Sequence, residues 1–132
     1  MNEKDYPQLG DTLDTYRLYF GANHGTSNLA RYYHEGLNIV CAINKNQQVY
    51  NISTESDSIE QAKEQAERFL PADATLIETF SFDGETIYQY HSDTLKELDL
   101  EKSYESGYAL VYINGYEGDC YVSFTVASGK EI

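Results

Sequence analysis

The chain has 132 residues, 41% of them hydrophobic, with 9 basic and 22 acidic residues and a formal charge of -13. That is the length of one ordinary domain, able to bury a core without disulfide or metal staples, and no apolar run approaches the ~18 residues of a membrane span. An acidic surface repels phosphate backbones and anionic lipid, so neither nucleic acid nor direct membrane insertion is expected, and a basic protein or peptide is the favoured partner.

The acid excess lies C-terminal: residues 1–66 hold 5 basic and 9 acidic side chains, residues 67–132 hold 4 and 13. The first ten residues are polar, so no signal peptide is read and the start reads as a leader. Gly10 to Gly21 reads as a short helix, capped by Asp11 or Thr12 and ended by Gly21, with Leu13, Tyr16, Arg17 and Phe20 on one face. The segment A-N-H-G-T-S-N (22–28) is a loop by composition. It lacks the lysine of a phosphate loop and follows a helix rather than a strand.

Three strands are expected next, over Leu29–Glu35, Leu37–Asn44 and Gln48–Thr54, joined by short turns as an antiparallel meander. The middle one is nearly continuous apolar and reads as the most buried. The main helix spans 57–70. Ile59, Ala62, Ala66, Phe69 and Leu70 form one stripe of a 3.6-residue period, and Asp57 stands three residues before Glu60 as a capping-box start. Its alanines let it lie close to a sheet, and Pro71 ends it. Ala74–Phe82 and Glu85–His91 flank Asp83-Gly84, the strongest hairpin signal in the chain. That turn sets Phe80 opposite Ile87 and Ile77 opposite Tyr90. A short helix over Ser92–Leu98 precedes a last hairpin, Tyr108–Ile113 with Asp119–Val126. The fold class is α+β: an antiparallel sheet of about seven strands packed by one main helix and one or two short ones. The chain is a single domain, and its order of helix then strands, twice over (9–54 and 57–127), leaves open two similar halves.

Gly10, Asp11, Thr12, Gly21, Tyr32, Tyr33, Val40 and Ile52 carry a resemblance of residues 9–54 to small lipoprotein domains of the SmpA/OmlA and beta-lactamase-inhibitor type. Those domains show a Gly-Asp-Thr-like helix start, a helix ending at glycine and aromatic-rich antiparallel strands. The chain departs from them in having one leading helix rather than two and no lipobox cysteine, and its second half matches no family. The resemblance implies an extracytoplasmic binding or assembly role.

The chain carries 13 tyrosines and no tryptophan, which suits a sheet with one half-wet face or a recognition surface. Tyr32, Tyr88, Tyr90, Tyr112, Tyr116 and Tyr121 lie on strands or hairpin tips and are the candidate binding residues, lining the sheet face that the main helix leaves uncovered. Glu97, Asp99 and Glu101 alternate with leucines and are hard oxygen donors of the kind calcium takes, but without an EF-hand order. The three histidines show no paired metal spacing. Cys41 and Cys120 sit in apolar runs, where a thiol is hidden and its pKa raised, which disfavours a Cys–His nucleophile. No catalytic group and no cofactor is expected. The reading is a non-enzymatic interaction module outside the cytoplasm; the alternative is a cytosolic acidic inhibitor or immunity-type protein that occludes a basic surface.

Overall fold

The structure is a computed structural model that describes residues 7–26, 29–34, 37–98, 107–116, 118 and 122–129. One seven-stranded sheet runs through it. In chain order the elements are α1 (Leu13–Phe20), β1 (Leu29–His34), β2 (Leu37–Ile43), β3 (Val49–Ser56), α2 (Ile59–Arg68), β4 (Thr75–Phe82), β5 (Glu85–His91), α3 (Asp93–Leu98), β6 (Tyr108–Asn114) and β7 (Val122–Ser128). The strands lie in the order β1-β2-β3-β7-β6-β5-β4, and every pair is antiparallel. β3 and β7, the last strand of each half, meet at the centre, and β1 and β4 are the two edges.

The core lies between the sheet and its helices. Alternation sends Ile52 of β3, Val122, Phe124 and Val126 of β7, and Ala109, Val111 and Ile113 of β6 to one face, where all are buried. α2 lies on that face across β7, β6 and β3. Its stripe residues Ala62 and Ala66 are fully buried, so the helix axis approaches the sheet closely. α1 covers the β1 side, where Tyr16, Phe20 and Tyr32 pack ring against ring, with Tyr16–Tyr32 centroids 6.2 Å apart.

Several local expectations shift. The N-cap of α2 is Ser58, not Asp57: its hydroxyl accepts from the Gln61 N–H at 3.2 Å, while Asp57 is exposed. At α1, Thr12 is the N-cap but makes no side-chain cap bond, and the Asp11 carboxylate accepts from the Gln8 N–H instead. Burial raises the Asp11 pKa, opposed by that bond. Residues 7–10 of the polar leader form a strap. The Leu9 N–H donates to Phe69 O (2.7 Å), the Gly10 N–H to Val49 O (2.7 Å), and Tyr16 Oη to Gln8 O (2.7 Å), so Pro7, Leu9 and Gly10 are buried. β6, not β2, is the most buried strand: each buries three side chains toward the helices, Ala109, Val111 and Ile113 against Ile39, Cys41 and Ile43, and β6 also buries Leu110 on the opposite face. A bulge at Ile77 shifts the register, so Leu76 rather than Ile77 faces Tyr90; Phe80–Ile87 and Phe82–Glu85 pair as the turn dictates.

α3 starts on an interlocked cap. Ser92 Oγ accepts from the Leu95 N–H (3.2 Å) and donates to Asp73 Oδ1 (2.5 Å), and Asp73 Oδ2 accepts from the Thr94 N–H (3.0 Å) and hydroxyl (3.1 Å). The Ser92 hydroxyl, and then the Thr94 donors, hold the Asp73 carboxyl below its ordinary 3.8 against a burial effect of opposite sign. A depressed carboxyl contributes stability that is present above pH ~3.8 and is lost as pH falls through the folded-state value. Ser92→Ala should therefore lower stability by about 1 kcal/mol at neutral pH, measured by urea unfolding. It should also flatten the loss of stability below pH 4 relative to wild type; an unchanged acid limb would show that Asp73 does not draw on Ser92.

Candidate functional site

The face opposite the helices is, away from Leu110 and Gln89, the surface that the described residues leave uncovered. Register across the sheet places Arg31, Val40, Ser53, Thr125, Tyr112, Ile87 and Phe80 in one row. A second row holds Glu55, Ser123, Asn114, Glu85 and Phe82. Val40, Tyr112 and Ile87 are half-buried, while Phe80 and Phe82 are exposed, Phe82 at 82%. The row thus rises from a polar centre, where Ser53 and Thr125 share a 3.0 Å hydrogen bond, to an apolar end at β5 and β4. Glu78 and Glu85 stand beside that apolar end. The face is closed near Leu110 and Gln89, both buried; Gln89 Nε2 donates to Ala109 O (3.1 Å) and Gly129 O (3.3 Å).

The structure does not gather the six candidate tyrosines. Tyr32 is wholly buried beside Tyr16 and Phe20 on the helix face. Tyr90 is buried on that same face and its Oη donates to Glu67 Oε2 of α2 at 2.7 Å. Burial, then that bond and the Glu67 charge, raise its pKa. Tyr88 is half-buried on the helix face, with Lys63 Nζ 5.0 Å from its ring centroid. Among the described candidates, Tyr112 alone is placed on the open face of the sheet. Tyr116 is 60% exposed at the tip beyond β6, where its hydroxyl donates to Asp83 Oδ1 (3.1 Å) and its ring lies on Gly84. A Cβ at Gly84 would sit 2.8 Å from that ring, and φ there is +84°, so the turn needs glycine. Tyr121 lies outside the described residues. Tyrosine serves either face because its ring packs like phenylalanine while its hydroxyl needs only one polar neighbour, which Glu67 supplies to Tyr90.

Phe80 and Ile87 are the residues that composition hid and the Asp83-Gly84 turn could reveal. Their pairing follows from the turn alone, and both belong to the open face.

The remaining candidates are dispersed. Glu97 is exposed on α3, and Asp99 and Glu101 lie outside the described residues. His24 lies tilted against Tyr33, and His34 and His91 meet Phe20 and Tyr108 edge-on, at three separate places. No group of three His, Cys, Asp or Glu side chains forms a metal cage among the described residues. Cys41 is a free, wholly buried thiol that burial pushes up to about 12, so it is held in the protonated, unreactive form; Cys120 lies outside the described residues. Among the described residues no helix is long and apolar enough to cross a membrane.

The two sheet edges differ. The outward backbone groups of Leu29 and Arg31 on β1 are occupied by the loop that follows α1. The His24 N–H donates to Arg31 O (2.8 Å) and the Thr26 N–H to Leu29 O (3.0 Å). In return the Arg31 N–H donates to Asn23 Oδ1 (3.0 Å) and the Leu29 N–H to Thr26 Oγ1 (3.0 Å). Gly25 is there because a Cβ would collide with Leu29 O and Arg31 N. The phosphate-loop-like residues thus close a sheet edge. β4 has no such cover among the described residues, and all eight of its side chains are exposed. No family model, curated protein or solved structure matches the chain.

Proposed function

We propose that the protein is a non-enzymatic interaction module whose uncovered sheet face binds a basic protein. One observation carries the reading: the open face ends in an apolar group, Tyr112, Ile87, Phe80 and Phe82, flanked by Glu78 and Glu85. Monomeric domains seldom leave such a group at a rim of one charge sign unless something docks there. The formal charge of -13 favours a cationic partner and speeds its encounter. The lipoprotein-domain resemblance of residues 9–54 supports a role outside the cytoplasm. The charge equally suits an inhibitor of a basic surface inside it, and the two readings share the face.

Val40→Lys/Ile87→Lys places two cations on the open face without touching the helix side. Used as baits in quantitative cross-linking against a lysate of the source cells, wild type should enrich basic proteins. The variant, with wild-type circular dichroism, should lose them. Equal capture by both baits would remove the face from consideration.

A further inference from the structure

We propose that the free edge of β4 is a strand-addition site that takes an extended, basic segment of a partner protein as an eighth strand. It rests on the interaction-module reading above and specifies where and how the partner is held.

The Asp83-Gly84 turn fixes which backbone groups are free. In a two-residue hairpin the flanking residues exchange both ladder bonds. Phe82 and Phe80 therefore bond inward to Glu85 and Ile87, and Thr79 and Ser81 turn their N–H and C=O groups outward. Beyond Glu78 the bulge breaks the pattern, which leaves residues 78–82 as the regular part of the edge. These outward groups meet no partner among the described residues, whereas the equivalent groups of Leu29 and Arg31 on β1 are all taken.

Edges of this kind are normally blunted by charged side chains, proline, a bulge or a covering loop, and the bulge of β4 lies at Ile77, outside the regular stretch 78–82. The eight residues of β4 contain neither lysine nor proline. Four large apolar side chains, Leu76, Ile77, Phe80 and Phe82, stand exposed along it. Backbone pairing would supply affinity and the alternate side chains would supply selectivity, as in other strand-addition complexes.

Charge selects the occupant. Residues 74–91, which span β4, its turn and β5, hold Glu78, Asp83 and Glu85 and no lysine or arginine. A second copy brings the same carboxylates and the same net charge of -13 to the contact. A cationic segment brings the opposite sign. On the open face the added strand would set a lysine or arginine beside Glu78 and an apolar residue beside Phe80, both favourable cross-strand pairs.

The test uses the intact protein, a short capped peptide of Lys-Thr-Val-Thr repeats, which sets lysine and valine alternately along one face, and its Glu-Thr-Val-Thr counterpart. The lysine peptide should bind and the glutamate peptide should not. Hydrogen exchange at the Thr79 and Ser81 amides should slow about tenfold or more on binding. Ser81→Pro removes an outward donor while sparing the β4–β5 ladder. It should weaken binding about tenfold, whereas Leu18→Ala, on the exposed side of α1, should bind as wild type. Binding that leaves both amides unprotected, or that survives Ser81→Pro, would overturn the edge site while leaving the open-face reading intact. Binding to neither peptide, or equally to both, would also overturn it. Concentration-dependent dimers that protect Thr79 and Ser81, and that Ser81→Pro abolishes, would name a second copy as the occupant instead.

Discussion

Phe69→Ala should cost about 3–5 kcal/mol of folding stability, the range for deleting a buried phenylalanine ring from a core that can collapse only in part. For a domain of this size that lowers the melting temperature by roughly 12–20 °C. Phe69 sits at the C-cap of α2, where three parts of the chain converge. Its ring is 2% exposed and packs 6.4 Å from the Phe20 ring of α1. Its carbonyl accepts the Leu9 N–H of the N-terminal strap. Pro71, also buried, turns the chain away two residues later. Losing the ring leaves a void between α1, α2 and the strap, and the strap is held in place by its backbone bonds to Phe69 O and Val49 O, so the void can close only in part. Leu18→Ala on the exposed side of α1 is the control, and should change stability by less than about 0.5 kcal/mol. Thermal unfolding followed at 222 nm distinguishes them; a Phe69→Ala loss below about 1 kcal/mol would mean that the junction repacks freely.

Different physical signals differ in how far sequence can carry them. The 3.6-residue stripe of α2 and the alternation of β7 were legible because burial of one face is written residue by residue. Val122, Phe124 and Val126 point to the helix, and Ser123 and Thr125 away. The Asp83-Gly84 turn fixed its own register for the same reason, and φ is positive at both positions. That register failed only at Ile77, where one extra residue in the strand changes every pairing beyond it without altering composition. Face assignment of the tyrosines was illegible for another reason. Tyr88 and Tyr90 alternate with Ile87 and Gln89, and either phase offers an acceptable face. α2 lies over the Tyr90 side, with Glu67 placed to accept its hydroxyl, and that is a tertiary fact. The closed edge at β1 was hidden too. Asn23 and Thr26 read only as loop formers, and their partners, Leu29 and Arg31, offer backbone groups that carry no sequence signature.

The same distinction sets the expectation for the two alanines of α2. Ala66→Leu should destabilise by about 1–3 kcal/mol, with Ala62→Leu similar, although each adds apolar surface and keeps a good helix former. By propensity alone the change is nearly neutral, so the cost measures packing. Ala62 and Ala66 are both fully buried, one turn apart, against a sheet whose facing side chains Val111, Phe124 and Val126 are also fully buried. Three further carbons on either residue would crowd these buried neighbours. A leucine at 66 must either leave its preferred rotamer or lift α2 from β7 and β6. Lifting would also stretch the Tyr90–Glu67 bond, whose acceptor is the next residue along the helix. The double variant should cost less than the sum of the singles, since one displacement of α2 relieves both clashes. Glu64→Leu, on the exposed side of the same helix, adds the same side chain without a clash and should lie within about 0.5 kcal/mol of wild type. Urea unfolding of the four variants decides it. If Ala66→Leu were as stable as Glu64→Leu, α2 would not be seated directly on the sheet, and the small residues of its stripe would have no packing role.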